Sequence, residues 1–250
     1  MPSIFITGAA KGIGKAVAEK FLHEGWTVGA YDLAEIPYSH PRLISGFLDV
    51  TDPNSWEQAL AHFASQTNGS IDVVDNNAGI LIPGDIHTLD PHDIARQITV
   101  NCTGISLGAH AAHKYLAPGA TLVTMGSASA IYGQPGIAVY SATKFFVTGF
   151  TEALNLEWRK KKIRVISLQP LWVKTSLAEV DTASVRRLGV RISPETIADT
   201  LYRAVHPRNR WQAGKIHYGV SITDKLFFCA RRIAPIRLAR LVTRIVSSEW

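Results

Sequence analysis

Short apolar runs recur along the chain and alternate with longer stretches whose apolar positions fall three and four residues apart. The runs Ser3–Thr7, Thr27–Tyr31, Leu43–Phe47, Ile71–Asp75, Ala120–Met125, Ile163–Gln169 and Lys215–Tyr218 read as strands, most of them buried on both faces. Between them Ile13–Glu24, Asn54–Gln66, Asp90–Lys114, Ala138–Arg159 and Pro194–Val205 read as helices, the last opened by Ser193 as N-cap and Pro194 at its first position. Strand and helix in this rhythm predict an α/β fold, a parallel sheet with helices on both faces. No repeat, low-complexity tract or Gly/Ser linker interrupts the rhythm. One domain over residues 1–223, followed by a basic tail over 224–250, is the expected organisation.

Composition narrows the class. At 46% hydrophobic and 18% charged residues the 250-residue chain has the makeup of a globular protein. Two cysteines, Cys102 and Cys229, offer neither a disulfide framework nor zinc spacing, and no metal site is expected. The first strand starts beside Met1 and no uncharged apolar run reaches about 18 residues, so a cytoplasmic protein without leader or membrane span is expected. The net charge of +6 is concentrated: residues 203–250 carry ten Lys/Arg against Asp224 and Glu249, the rest sixteen against eighteen acids. A slightly acidic body argues against a nucleic-acid partner.

Thr7-Gly8-Ala9-Ala10-Lys11-Gly12-Ile13-Gly14 lies between the first strand and first helix. There glycines let the backbone approach a pyrophosphate, and free helix N–H groups face the anion. Asp32, closing the second strand, suits the carboxylate that accepts hydrogen bonds from an adenosine ribose and repels a 2′-phosphate. NAD is therefore expected over NADP, although Lys11 in the turn pulls the other way.

Tyr140 and Lys144 are four residues apart, so on a helix they share one face. A cation near a phenol favours phenolate and suits it to proton exchange. Ser127, just past the strand ending at Met125, can converge with them at a strand C-terminus, where open α/β sheets bind ligands. With the glycine turn, Asp49-Val50, Asn76-Asn77-Ala78-Gly79, Asn101 and Pro170…Val173…Thr175, in this order, the chain resembles the short-chain dehydrogenase/reductase family over roughly residues 3–175. The resemblance implies a Rossmann-type doubly wound sheet of about seven strands, a homodimer or homotetramer, Asp49-Val50 near the adenine and the Asn77–Gly79 turn against the adenosine ribose. It implies Tyr140 as general acid/base and Ser127 as hydrogen-bond partner of the substrate oxygen. Lys144 would hold the nicotinamide ribose and lower the tyrosine pKa, and Asn101 would support a water linking Lys144 to solvent. Two residues depart from the family pattern: Asp75 stands where an apolar residue is usual, and Leu171 where glycine is.

The function this predicts is an NAD(H)-dependent oxidoreductase interconverting a secondary alcohol and a carbonyl. The loops around the nicotinamide bring Leu81, Ile82, Ala130, Ile131, Tyr132, Leu171, Trp172 and Leu177, so an apolar, fairly bulky substrate is expected. Residues 174–192 are expected to form a mobile substrate loop. Hydrolase chemistry lacks the GxSxG elbow at Ser127. A non-catalytic dinucleotide sensor would keep the glycine turn and Asp32 but has no need of Ser127, Tyr140 and Lys144 together. Lys225–Ser247 sets Leu238, Leu241, Val242 and Ile245 on one helical face and Arg237, Arg240 and Arg244 on another. Three readings of it stay open: an anionic membrane, a pocket cover, or a subunit contact.

Overall fold

A computed structural model describes residues 1–178, 180, 182–222, 225, 226, 234, 235, 237, 238, 241, 244 and 245. Its seven strands are β1 (Ser3–Thr7), β2 (Thr27–Asp32), β3 (Leu43–Phe47), β4 (Ile71–Asn76), β5 (Leu116–Met125), β6 (Arg164–Leu168) and β7 (His217–Tyr218). They form one parallel sheet in the order β3-β2-β1-β4-β5-β6-β7. The order reverses between β1 and β4, which opens a crevice beyond the strand C-termini. The helices are α1 (Gly12–His23), α2 (Pro53–Ser65), α3 (Pro91–Ile98), α4 (Ile105–Ala112), α5 (Ala138–Glu157), α6 (Ala183–Leu188), α7 (Pro194–Val205) and α8 (Arg210–Ala213).

Every residue of β1 is buried, as a central parallel strand requires. On one face Ile4, Ile6, Val73, Val123 and Ile166 pack with Val17 and Phe21 of α1 and Ile197 and Leu201 of α7. On the other Phe5, Val74, Leu122 and Val165 meet Trp56, Leu60 and Phe63 of α2, Ala109 of α4 and Leu154 of α5. Phe5 stacks on Tyr31 at 4.5 Å between ring centroids. Truncating a fully buried leucine such as Leu60 or Leu122 to alanine costs about 2–5 kcal/mol. These two layers fix the strand ends on which the crevice is built.

The stretch expected as one helix over Asp90–Lys114 is three pieces. A π-helical turn, Thr99–Gly104, joins α3 to α4. Gly104, which closes this turn, and Gly108 in α4 are packing residues: a Cβ on Gly104 would stand 3.0 Å from Val50, and one on Gly108 2.5 Å from the Asn76 side chain and 2.6 Å from Trp56. Residues 174–192 contain a 3-10 turn, Ser176–Ala178, and α6, and return to the body through a bridge between Val173 and Ile192. No helix among the described residues is long and apolar enough to cross a membrane. Of the tail helix expected over Lys225–Ser247, Arg240, Val242 and most of the remainder lie outside the described residues.

Candidate active site

The turn after β1 is built by steric exclusion. Gly8 and Gly12 have φ of +66° and +59°, the left-handed region that side chains avoid. A Cβ on Gly14 would lie 2.2 Å from the Gly8 carbonyl oxygen, so α1 closes onto the turn only with glycine there. Gly14 therefore shapes the turn from behind and is absent from the cleft wall, unlike Gly8, Lys11, Gly12 and Ile13. The N-cap of α1, Lys11, has extended backbone and no side-chain cap, and the first turn holds no acid. Its first N–H groups are left for an anion.

A second turn is latched to the first. The Thr7 hydroxyl accepts from the N–H groups of Asn77 (3.0 Å) and Ala78 (2.9 Å), and the Asn77 side-chain amide donates to the Thr7 carbonyl at 2.8 Å. Asp32 accepts from the Ala10 N–H at 2.9 Å and the Ala34 N–H at 3.1 Å, which fixes its carboxylate at the cleft edge. Asp49 is fixed in the same way by the Thr51 N–H and hydroxyl, at 2.8 and 2.7 Å.

At the other end α5 carries Tyr140 and Lys144 to the strand end of β5. Both are buried, at 8% and 4% exposure, and both line the cleft with Ser127. The Lys144 ammonium donates to the Met125 carbonyl at 2.8 Å and stands 5.4 Å from the centre of the Tyr140 ring. Burial pushes the phenol of Tyr140 up to about 12, and its hydrogen bond with Ser127 pulls the other way. Burial pushes Lys144 down to about 8, partly offset by the charge of Cys102.

The cleft is about 560 Å³ and joins the two ends, with Asp49, Val50, Asn77, Ala78, Gly79, Pro170, Val173 and Thr175 in its wall. Trp172, Leu177, Leu81 and Leu171 are in its wall as expected. Ile131 and Tyr132, expected against the substrate, are not, nor are Ile82 and Ala130. The 3-10 turn Ala128–Ala130 redirects that loop and presents Ser129 and Gln134 in their place. An apolar sequence run does not say which way a loop side chain turns, and a lone glutamine between Gly133 and Pro135 was the only signal for this polar wall.

Asn101 is fully buried but outside the cleft wall. Its side chain clamps Ile80, accepting from its N–H at 2.9 Å and donating to its carbonyl at 2.8 Å, with a further bond to Thr143 at 3.2 Å. Gln97, which sequence reading did not single out, clamps Ile82 in the same two-sided way at 3.1 Å each. The side chain of Asn101 is therefore committed to shaping the Ile80 loop.

The glycine cradle, the uncapped helix start and the carboxylate at the end of β2 fit a dinucleotide. Comparison with known proteins agrees. The short chain dehydrogenase family model matches residues 2–185, and the chain belongs to that family. It is 30% identical over 182 residues to an uncharacterised oxidoreductase of Schizosaccharomyces pombe, covering 70% of this chain and 62% of that protein. It is also 30% identical over 186 residues to the 2,3-dihydro-2,3-dihydroxybenzoate dehydrogenase of Bacillus subtilis, covering 69% of this chain and 70% of the other. Among solved structures, a short chain dehydrogenase of Burkholderia cenocepacia in complex with NADP superposes with TM-score 0.83 at 20% identity, over 96% of this chain and 97% of that one. One from Burkholderia phymatum in complex with NAD gives 0.80 at 20% identity, over 95% of each. The chain is thus an oxidoreductase of this family with a Rossmann-type fold. No group of three or more His, Cys, Asp or Glu is clustered among the described residues.

Proposed function

We propose that the protein is an NAD(H)-dependent oxidoreductase interconverting a secondary alcohol with its ketone on a mainly apolar, fairly bulky substrate. The observation that carries this is one cleft holding Ser127, Tyr140 and Lys144 at one end and the glycine turn with Asp32 at the other. A bound nicotinamide supplies the hydride exchange and, when oxidised, a positive charge. Tyr140 takes the carbinol proton at its phenolic oxygen during oxidation and returns it during reduction. Ser127 hydrogen-bonds the substrate oxygen and holds it against the phenol. Lys144 grips the nicotinamide ribose through its ammonium, and the combined positive charge brings the phenol down from its cofactor-free value.

Asp32 supports NAD over NADP, since a carboxylate at the end of β2 would repel a 2′-phosphate and no cation follows it in sequence. The catalytic unit spans residues 1–223, with 224–250 as an appended basic tail, and it works in the cytoplasm as a homodimer or homotetramer. A substrate panel followed by nicotinamide absorbance, run in parallel with NADH and NADPH, tests this reading. Turnover with NADH and weak turnover with NADPH is expected. Stronger turnover with NADPH overturns the cofactor choice, and binding without any turnover overturns the enzyme.

A further inference from the structure

The polar wall opposite the apolar loops is a built site. Ser127, the residue set against the reacting oxygen, donates from its hydroxyl to the Ser129 hydroxyl at 3.2 Å, and the Ser129 N–H donates back to Ser127 at 3.1 Å. Ser129 accepts in turn from the side-chain amide nitrogen of Gln134 at 3.1 Å. The Gln134 backbone N–H donates to the Ser141 hydroxyl at 3.2 Å, one residue from Tyr140, so the side chain is anchored to the helix that carries the catalytic pair. Ser129 and Gln134 are 3% and 4% exposed, and both form part of the cleft wall.

Gln134 is left half satisfied. Its amide oxygen is buried without a hydrogen-bond partner. Reversing the amide does not remove the defect: Ser129 would then donate to the oxygen and the nitrogen would be the orphan. A buried amide end without a partner costs free energy, and here the orphan belongs to a residue of the substrate wall, two hydrogen bonds from Ser127. A hydroxyl satisfies either orientation, because it both donates and accepts.

We propose that Gln134 is the specificity-determining residue of this cleft and that it takes a second hydroxyl of the substrate, carried on a carbon near the reacting carbinol. The substrate class is then a diol and its hydroxy-ketone, apolar over the rest of its surface. This rests on the oxidoreductase reading above and narrows it. It also refines the expectation of an apolar, fairly bulky substrate, since Leu171, Trp172 and Leu177 hold the hydrocarbon while Ser129 and Gln134 hold the polar edge.

The test uses the full chain with NAD and matched pairs, such as cyclohexane-1,2-diol against cyclohexanol and longer vicinal diols against their mono-ols. For at least one pair kcat/KM is expected to favour the diol about tenfold or more, because the mono-ol leaves Gln134 unpaired. In Gln134→Met, similar in volume but unable to hydrogen-bond, that ratio should fall to within about threefold of unity, with NADH binding reporting that the variant is folded. If Gln134→Met does not bind NADH, Gln134→Glu, which keeps an acceptor, is assayed on each diol and its monomethyl ether, which keeps one oxidisable carbinol, and should still prefer the diol. Calorimetric titration of the NADH-saturated protein with the same pairs gives a readout independent of turnover. Turnover with no diol preference in any pair, or a preference that survives in Gln134→Met, overturns the role of Gln134 and leaves the oxidoreductase reading standing. Diol-selective binding lost in Gln134→Met, but without turnover of any alcohol, keeps the role of Gln134 and sinks the oxidoreductase reading.

Discussion

Two buried titratable side chains face each other at the catalytic end, and burial moves both towards their neutral forms. Tyr140 is pushed up to about 12 and Lys144 down to about 8. Without its phenolic oxygen Tyr140→Phe loses the proton acceptor, so its kcat should fall by about 10²–10⁴-fold while NADH binding, measured by fluorescence titration, persists. Lys144 makes a separate prediction about stability. Its folded pKa lies below the 10.5 of a free lysine, so between about 8 and 10.5 the unfolded chain binds more protons than the folded one. Stability therefore rises with pH across that window, and below it the buried ammonium imposes its full cost. Lys144→Met should raise the melting temperature of the cofactor-free protein at pH 7 and raise it less at pH 10, while weakening NADH binding about tenfold or more. An unchanged melting temperature at both pH values would mean that the bond to Met125 compensates for the charge.

The elements explain why some of this was legible in the sequence and some was not. The β1 turn and α1 could be read because glycines at fixed places after a buried strand have a steric cause, which the 2.2 Å approach at Gly14 makes explicit. Gly14→Ala should accordingly abolish NADH binding or folding, read by titration and circular dichroism, whereas Gly133→Ala, with no atom near the added Cβ, should keep NADH binding. The strands were legible to within a few residues, since burial on both faces leaves a continuous apolar run. The π-helical turn at Thr99–Gly104 was not, because it depends on partners distant in sequence: Asn101 reaching Ile80, and Gly104 lying on Val50. The same limit hid Ser129 and Gln134 and promoted Ile131 and Tyr132. Tertiary contact also creates a motif the sequence does not announce, in which Ser167 meets His217 at 2.8 Å and His217 meets Glu152 at 2.9 Å. Ser167 is fully buried and joined to its neighbours inside the sheet, so this series ties β7 to α5 and has no access to a substrate. Asp32, at the end of β2, carries the cofactor prediction at this scale. Asp32→Ser should raise the NADPH-to-NADH ratio of kcat/KM by about tenfold or more, and no change would show that the carboxylate does not discriminate.

At the scale of the whole molecule the sheet is sealed on both faces, and one charge-bearing group is sealed in with it. Asp75, which departs from the family pattern, lies in register with Ile6 of β1 and Val123 of β5. It is fully buried, and neither carboxyl oxygen has a hydrogen-bond partner. The backbone around it is engaged: its carbonyl accepts from the Asn77 N–H at 2.9 Å and from the Thr7 hydroxyl at 3.4 Å, beneath the cofactor turns. Burial alone pushes the carboxyl up to about 8. The folded state therefore holds this proton more tightly than the unfolded chain, whose carboxyl titrates near 3.8. Between about 4 and 8 the folded protein binds more protons, so stability falls as pH rises through that window and levels off above it. Valine, of similar volume and suited to a buried strand, removes the linkage and restores apolar packing between Ile6 and Val123. Asp75→Val should stabilise the fold by about 1–4 kcal/mol at pH 8, with a smaller gain at pH 4, measured by denaturant unfolding at a series of pH values. The same variant leaves the Thr7 and Asn77 latches intact, since they use the Asp75 backbone, so NADH affinity should change little. A gain independent of pH would mean that the cost of Asp75 is one of packing, and a loss of stability would mean that the carboxyl has a partner that neither burial nor strand register reveals.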